Sequence, residues 1–291
     1  MAVQQDQPKA ERPCDNDSVP FTPAHAAAVL PFHRTRLVFS ALVVGSFAPD
    51  FEYFLRMAPH GGFGHTPAGM FLFSLPVAIV VLWLFHRYVR PLVAFMLPRP
   101  MRERMTPSPQ PFAFAPRGRL ALIAISALVG IATHIGWDSF THPASPLVRH
   151  FDVLQSMRTV PLLGTHELCR ILQFISTIVG LAIVGIWTVL QYRRAERIEE
   201  SMPARSSRLR AALWIALPLG AAILAALRVW IRSGGHLRHF GYSLMLFVIA
   251  WIAFLWWEMV AVGYFADSYG ELKQHSRGIN VLLTPPFDTE Q

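Results

Sequence analysis

Charge is scarce in this sequence. Only 15% of its 291 residues are Asp, Glu, Lys or Arg, against roughly 25% in an ordinary soluble domain. With 53% hydrophobic residues and a mean hydropathy of +0.37, that deficit excludes a surface that meets water all round. Cysteine is scarcer still: Cys14 sits in a polar stretch and Cys169 in an apolar one. Two so placed exclude a disulfide framework and say little about redox compartment. The opening residues, MAVQQDQPKAERPCDNDS, have no apolar core. No cleavable signal peptide is expected, and insertion would rely on internal helices. No internal repeat is visible.

What the chain has is long apolar runs. Pro67–His86, Leu120–Trp137, Leu168–Leu190, Ala211–Ile231 and Phe240–Gly263 each supply about the 20 residues that cross a bilayer core. Leu37–Ala48 is apolar but too short to cross. The net charge is +8, which would suit nucleic acid, but its placement points elsewhere. Arg87, Arg90, Arg99, Arg102, Arg104, Arg117 and Arg119 crowd one connection, and Arg193, Arg194, Arg197, Arg205, Arg208 and Arg210 another. The connection from Ser139 to Glu167 carries only Arg149 and Arg158, and that from Pro49 to Thr66 only Arg56. This alternation is the positive-inside pattern, so the expected partner is a lipid bilayer and not nucleic acid.

The expected fold is all-α: a polytopic membrane protein with a half-membrane helical hairpin and about five transmembrane helices. Thr22 and Pro23 suit a helix start, which would run to about Leu30 and meet Pro31. Leu37–Ala48 then returns antiparallel, after a turn near Phe32–Arg36, and ends at Pro49. Each arm is about 15–18 Å long at 1.5 Å per residue, so His25 and Asp50 arrive at one level. A turn inside the bilayer must be covered by protein or reach water. The segmentation reads 1–19 as a disordered tail and 20–190 as the domain bearing the site. A basic cytoplasmic loop follows at 191–210, a transmembrane hairpin at 211–266 and a polar tail at 267–291. Residues 87–119 are rich in proline and expected to be irregular.

Six side chains of metal-ligand type lie at the edges of apolar segments: His25, Asp50, His65, His134, Asp138 and His142. The sharpest motif is HIGWDSFTH, where His134, Asp138 and His142 are spaced by four and share a helix face. Pro143 would leave His142 just beyond the last turn. With the arginine-rich loops cytoplasmic, all six fall at the extracytoplasmic boundary. Asp50, His65, His134 and Asp138 make one self-sufficient ligand set for a divalent metal, with zinc as the ion such donors suit. His25 and His142 can complete a second through a bridging Asp138. Asp138 and His142 are also the candidates for a catalytic role. Each residue has an ordinary alternative: His25 and His65 as helix-end hydrogen-bonders, Asp50 as a cap, His134–Asp138 as an ion pair, His142 as a turn residue. Glu52 reads as a solvated side chain, and Glu258 as an interfacial ion-pair partner of Arg208 or Arg210. His166–Glu167 is a peripheral ligand pair at most.

The segments VPFTPAHAAAVLPF, GSFAPDFEYFLR, GHTPAGMFLFSLP and HIGWDSFTHP together resemble an uncharacterised bacterial membrane family, domain of unknown function 4184, over roughly residues 19–190. More distantly they are similar to membrane-bound metal-dependent hydrolases and to the zinc-dependent phospholipase C fold. The elements shared are His25, Pro49-Asp50, His65-Thr66 and His134–Asp138. That resemblance implies an inner-membrane protein in which Asp50, His65, His134 and Asp138 hold one zinc and His25 with Asp138 another. The chain departs from the fold by lacking a downstream His-x-x-x-Glu. It also places a long tail ahead of His25 in place of a free N-terminal ligand. The expected activity is metal-dependent hydrolysis of a phosphate ester or lipid head group, on an amphiphilic or phosphorylated substrate. The alternatives are a structural metal or polar staple, and a transporter, which would need midplane polar residues that 168–263 shows few of.

Overall fold

A computed structural model describes residues 22–59, 61–104, 112–161, 164–196, 205–234 and 240–268. Five helices are long and apolar enough to cross a membrane: Pro67–Met96, Arg117–His150, Leu168–Arg194, Ser207–Arg232 and Phe240–Ser268. The regular α-helical part of the second span is Arg117–Thr141. In each, at most a third of the most apolar window is buried inside the protein. Ile178 and Ile186 in the third span are 70% and 62% exposed, so these faces need lipid.

The expected hairpin is present and precedes the first span. Residues 22–34 are helical, as 3-10 turn (Thr22–His25), α-turn (Ala26–Val29) and a second 3-10 segment (Leu30–Arg34). The helix therefore continues through Pro31, which sits at the second position of a new 3-10 turn, where its missing N–H is not needed. The return arm is Phe39–Gly45, then 3-10 turn Ala48–Asp50 and helix Phe51–Arg56. Three N–H groups of the turn find acceptors, as a turn inside a bilayer would require. Thr35 N donates to Phe32 O at 3.0 Å, Leu37 N to Thr35 Oγ1 at 3.2 Å, and Val38 N to Ser126 Oγ of the second span at 2.9 Å.

Two glycines let the return arm lie directly on the second span. A Cβ on Gly45 would collide with the Ala127 carbonyl, and one on Gly130 with the Leu42 carbonyl. Ala41, Leu42, Ile123 and Ile131, all at most 1% exposed, fill the contact. On the other side, Gly180 of the third span admits the Ala24 backbone, whose carbonyl lies 2.8 Å from where its Cβ would be.

The first span is longer than the apolar run predicts. It continues past His86 to Met96, so Arg87 and Arg90 lie on helix and not in an irregular loop. Pro76 and Pro91 do not stop it, because a π-helical segment precedes each: Met70–Ser74 and Phe85–Val89. Widening the turn makes room for the proline ring and re-routes the bond its nitrogen cannot donate. Pro116 precedes the second span, and the described part of the arginine-rich connection adds a short helix, Arg99–Arg102. Asp267, expected in a tail, is helical and accepts from Arg87 Nη1 at 2.9 Å. The rest of the expected tails, 1–19 and 269–291, lies outside the described residues.

The fourth and fifth spans pair antiparallel, and Trp251 Nε1 donates to the Pro218 carbonyl at 3.0 Å. Glu258 is not the arginine partner expected of it. Its carboxylate packs on Gly220, with Oε1 2.8 Å from where a Cβ would be and Oε2 buried without a hydrogen-bond partner. Twelve positions separate Gly220 from Arg208, about 18 Å of helix. The connection after the second span holds two short helices and an antiparallel hairpin, Met157–Val160 with Gly164–Glu167, registering Arg158 against His166.

Candidate metal centre

Four elements bring the site together. The return arm ends at Asp50, the glycine-rich loop ahead of the first span delivers His65, and the second span carries His134 and Asp138 one turn apart. His25, from the outgoing arm, stacks its ring on His134 with centroids 3.8 Å apart. Asp50 and His134 side chains are 0% exposed and Asp138 7%, so these polar groups are removed from water and must find one another or a ligand.

One donor atom from each of Asp50, His65, His134 and Asp138 lies within 4.8 Å of all the others. His134 Nε2 is 3.0 Å from Asp138 Oδ2, 3.2 Å from His65 Nε2 and 3.5 Å from Asp50 Oδ1. His65 Nε2 is 3.3 Å from Asp50 Oδ1 and 3.4 Å from Asp138 Oδ2. Four donors at zinc–nitrogen and zinc–oxygen bond lengths form a tetrahedron with edges of about 3.3 Å. The observed separations bracket that value. This cluster can hold a divalent ion, and its identity is not fixed by the donor set alone.

The surroundings orient these atoms inward. Ser46 O lies 2.7 Å from His134 Nδ1. A proton on Nδ1 donates to that carbonyl and leaves the Nε2 lone pair facing the cluster. Thr22 Oγ1 donates to Asp50 Oδ2 at 2.6 Å, leaving Oδ1 for the centre. Asp50 Oδ1 and both Asp138 oxygens are buried with no hydrogen-bond partner, as a carboxylate built to ligate would be. Asp138 Oδ1 faces a second, looser group: His25 Nε2 at 3.5 Å and His142 Nδ1 at 3.7 Å. His142 lies just past the last helical turn, as Pro143 predicts, with backbone angles in the extended region.

Charge follows position. Burial alone would lower the His65 pKa, but the Asp138 and Asp50 carboxylates outweigh it and raise the value to about 9. Burial, reinforced by neighbouring His134, lowers that of His25 to about 4. At neutral pH His25 is therefore neutral with a lone pair to offer.

A family model described as a domain of unknown function, DUF4184, matches residues 19–264. This chain belongs to that family. No curated protein matches the chain, and no solved structure does. The family match spans the hairpin, the first four long helices and the fifth as far as Tyr264, so the cluster lies within the matched region.

Three residues at the site were read otherwise from the sequence. Thr22, expected as a helix cap, instead orients Asp50. Ser46 contributes only a carbonyl, which no sequence signal marks. Glu52, expected in solvent, is 6% exposed. Its Oε2 accepts from the backbone N–H groups of Gly62, Phe63 and Gly64 at 3.0, 3.0 and 3.3 Å, and Oε1 meets Arg56 at 2.8 Å. Burial pushes the Glu52 carboxyl up, but the Gly64 amide, Arg56 and the Gly62 amide hold it below its ordinary value. Glu52 thus clamps the loop that presents His65. The run of glycine after an acidic aromatic segment was the available signal. His166 and Glu167 lie on the strand hairpin, where Glu167 meets Arg170 at 3.5 Å, outside the four-residue group.

Proposed function

We propose that this protein is a membrane-embedded metal-dependent hydrolase, with a phosphate ester or lipid head group as substrate and zinc as the ion. The observation that carries the reading is the convergence of donors from Asp50, His65, His134 and Asp138 to within 4.8 Å of one another, three of the four residues buried, with three carboxylate oxygens lacking a hydrogen-bond partner. Asp50, His65, His134 and Asp138 would hold one ion, and Asp138 Oδ1 with His25 and His142 would face a second. A divalent ion there supplies Lewis acidity, making water nucleophilic near neutral pH and neutralising a phosphoryl group.

The chain's own residues do the rest. Asp138 turns one oxygen to each group of histidines. Thr22 and Ser46 hold Asp50 and His134 in register. His142, with 32% of its side chain exposed against 7% for His25 and Asp138, is the member placed to exchange a proton with arriving water or substrate. Asp138 lies one residue beyond the apolar run Leu120–Trp137, at head-group depth, which favours an amphiphilic substrate. The arginine distribution supports a site at the extracytoplasmic face of a bacterial inner membrane.

The test is elemental analysis of the detergent-purified protein beside His134→Ala, with a phosphodiesterase assay of Asp138→Ala. Metal in the parent, lost in His134→Ala, and turnover lost in a folded Asp138→Ala support the proposal. Equal metal in parent and variant removes it. A structural metal is the second reading, favoured by the complete burial of Asp50 and His134, since closed four-ligand sites are structural ones. Chelation that unfolds the protein, with no turnover by the loaded form, would establish that role.

A further inference from the structure

At the opposite, arginine-rich end, the first and third spans diverge around a cavity of about 620 Å³. Arg90, Arg104 and Arg194 line it, and among the described residues no carboxylate does. Arg104 is already placed: its Nη1 lies 3.3–3.4 Å from the carbonyls of Tyr192, Arg193 and Ala195, and its guanidinium stacks on the Tyr192 ring at 5.2 Å. Arg90 is different. It is half-buried on a membrane span, and among the described residues it has no hydrogen-bond or ion-pair acceptor. A guanidinium there is costly unless an anion meets it. Two further donors of the cavity wall, Arg104 Nε and Trp187 Nε1, are buried without partners.

We propose that this cavity binds the phosphate of an anionic phospholipid, with Arg90 as the principal contact and Arg194 at its mouth. The three guanidinium groups, with no acid among the described lining residues, select a phosphate-bearing anion. The walls select a lipid over a soluble phosphate. Phe85, Val93 and Leu97 are apolar, Trp187 and Tyr192 suit the boundary between head group and chain, and the third span beside it turns exposed Ile186 and Val189 outward. A basic pocket between spans on the cytoplasmic side is where an anionic head group is recognised. This site lies at the other end of the spans from the His/Asp cluster and stands or falls without it.

The test uses the full chain, delipidated in an uncharged detergent, with binding read by native mass spectrometry and by thermal shift. The probes are phosphatidylglycerol, phosphatidylcholine with the same acyl chains, and glycerol phosphate. Phosphatidylglycerol is expected to bind and stabilise, phosphatidylcholine and glycerol phosphate to do so weakly. Arg90→Gln is expected to weaken phosphatidylglycerol binding by about tenfold or more while leaving bound metal unchanged. Equal binding of the two lipids, unchanged binding in Arg90→Gln, or a full effect from glycerol phosphate alone would each overturn the assignment. Should Arg90→Gln fail to fold, Arg194→Gln gives the same reading, with a loss of about threefold expected for an exposed contact and no loss overturning it.

Discussion

At the scale of single residues, the site depends on where lone pairs point. Ser46 O and Thr22 Oγ1 each occupy one atom of His134 and Asp50, so that the other faces the centre. Thr22→Val keeps the shape but leaves Asp50 Oδ2 buried without its donor. We expect metal affinity to fall by 10–100-fold, read by competition with a chromogenic chelator. The proton on His65 sets the pH dependence. Its pKa of about 9 in the ion-free site means the ring is protonated at neutral pH and must lose that proton to ligate. Metal binding should therefore release at least that proton, and apparent affinity should fall by about tenfold or more for each unit the pH drops below that value. Calorimetric titration in buffers of differing ionisation heat reads the proton directly. His142→Ala should retain the ion of the four-residue set and lose turnover, a split that elemental analysis and phosphodiesterase assay together expose.

Between elements, the site is held by close backbone approaches and one carboxylate clamp. Gly130→Ala would push the return arm off the second span, since its Cβ meets the Leu42 carbonyl. The expected cost is about 1–3 kcal/mol together with reduced metal content, because Ser46 moves with the arm; thermal unfolding and elemental analysis measure the two effects. Glu52→Ala strands three loop N–H groups. Amide exchange at 62–64 should accelerate, and metal affinity should fall less than in a ligand variant. The π-segments before Pro76 and Pro91 belong to this scale as well. The first of them includes Ser74, which donates to Gly64 O at 3.0 Å and so ties the His65 loop to the first span.

For the whole molecule, the arginine pattern and the five spans make a statement about sidedness. In a background with Cys14 and Cys169 replaced, Arg158→Cys should react with an impermeant maleimide on intact cells. Arg99→Cys should react only after permeabilisation. The reverse pattern would move the metal centre to the cytoplasmic face. The exposed apolar faces of the third span set the same requirement from energetics: without lipid or detergent covering them, the chain should aggregate.

Much of this was legible in the chain because it is one-dimensional information. Twenty apolar residues in a row, arginine at alternate loops, His-x-x-x-Asp on a helix and proline after His142 act through local spacing and transfer free energy. The short hairpin was legible for the same reason, since two runs too short to cross must fold back. What required the tertiary structure were groups whose role depends on a partner far away in sequence. Thr22 reads as a cap until Asp50 is beside it, and Glu52 reads as solvated until three loop amides converge on it. Glu258 reads as an ion-pair partner until Gly220 takes its side, and Arg90 as one more loop arginine until a helix carries it into a cavity. Composition and periodicity set burial against lipid or water. Only packing decides which buried polar atom meets which, because that choice rests on contacts of a few ångströms between residues tens of positions apart.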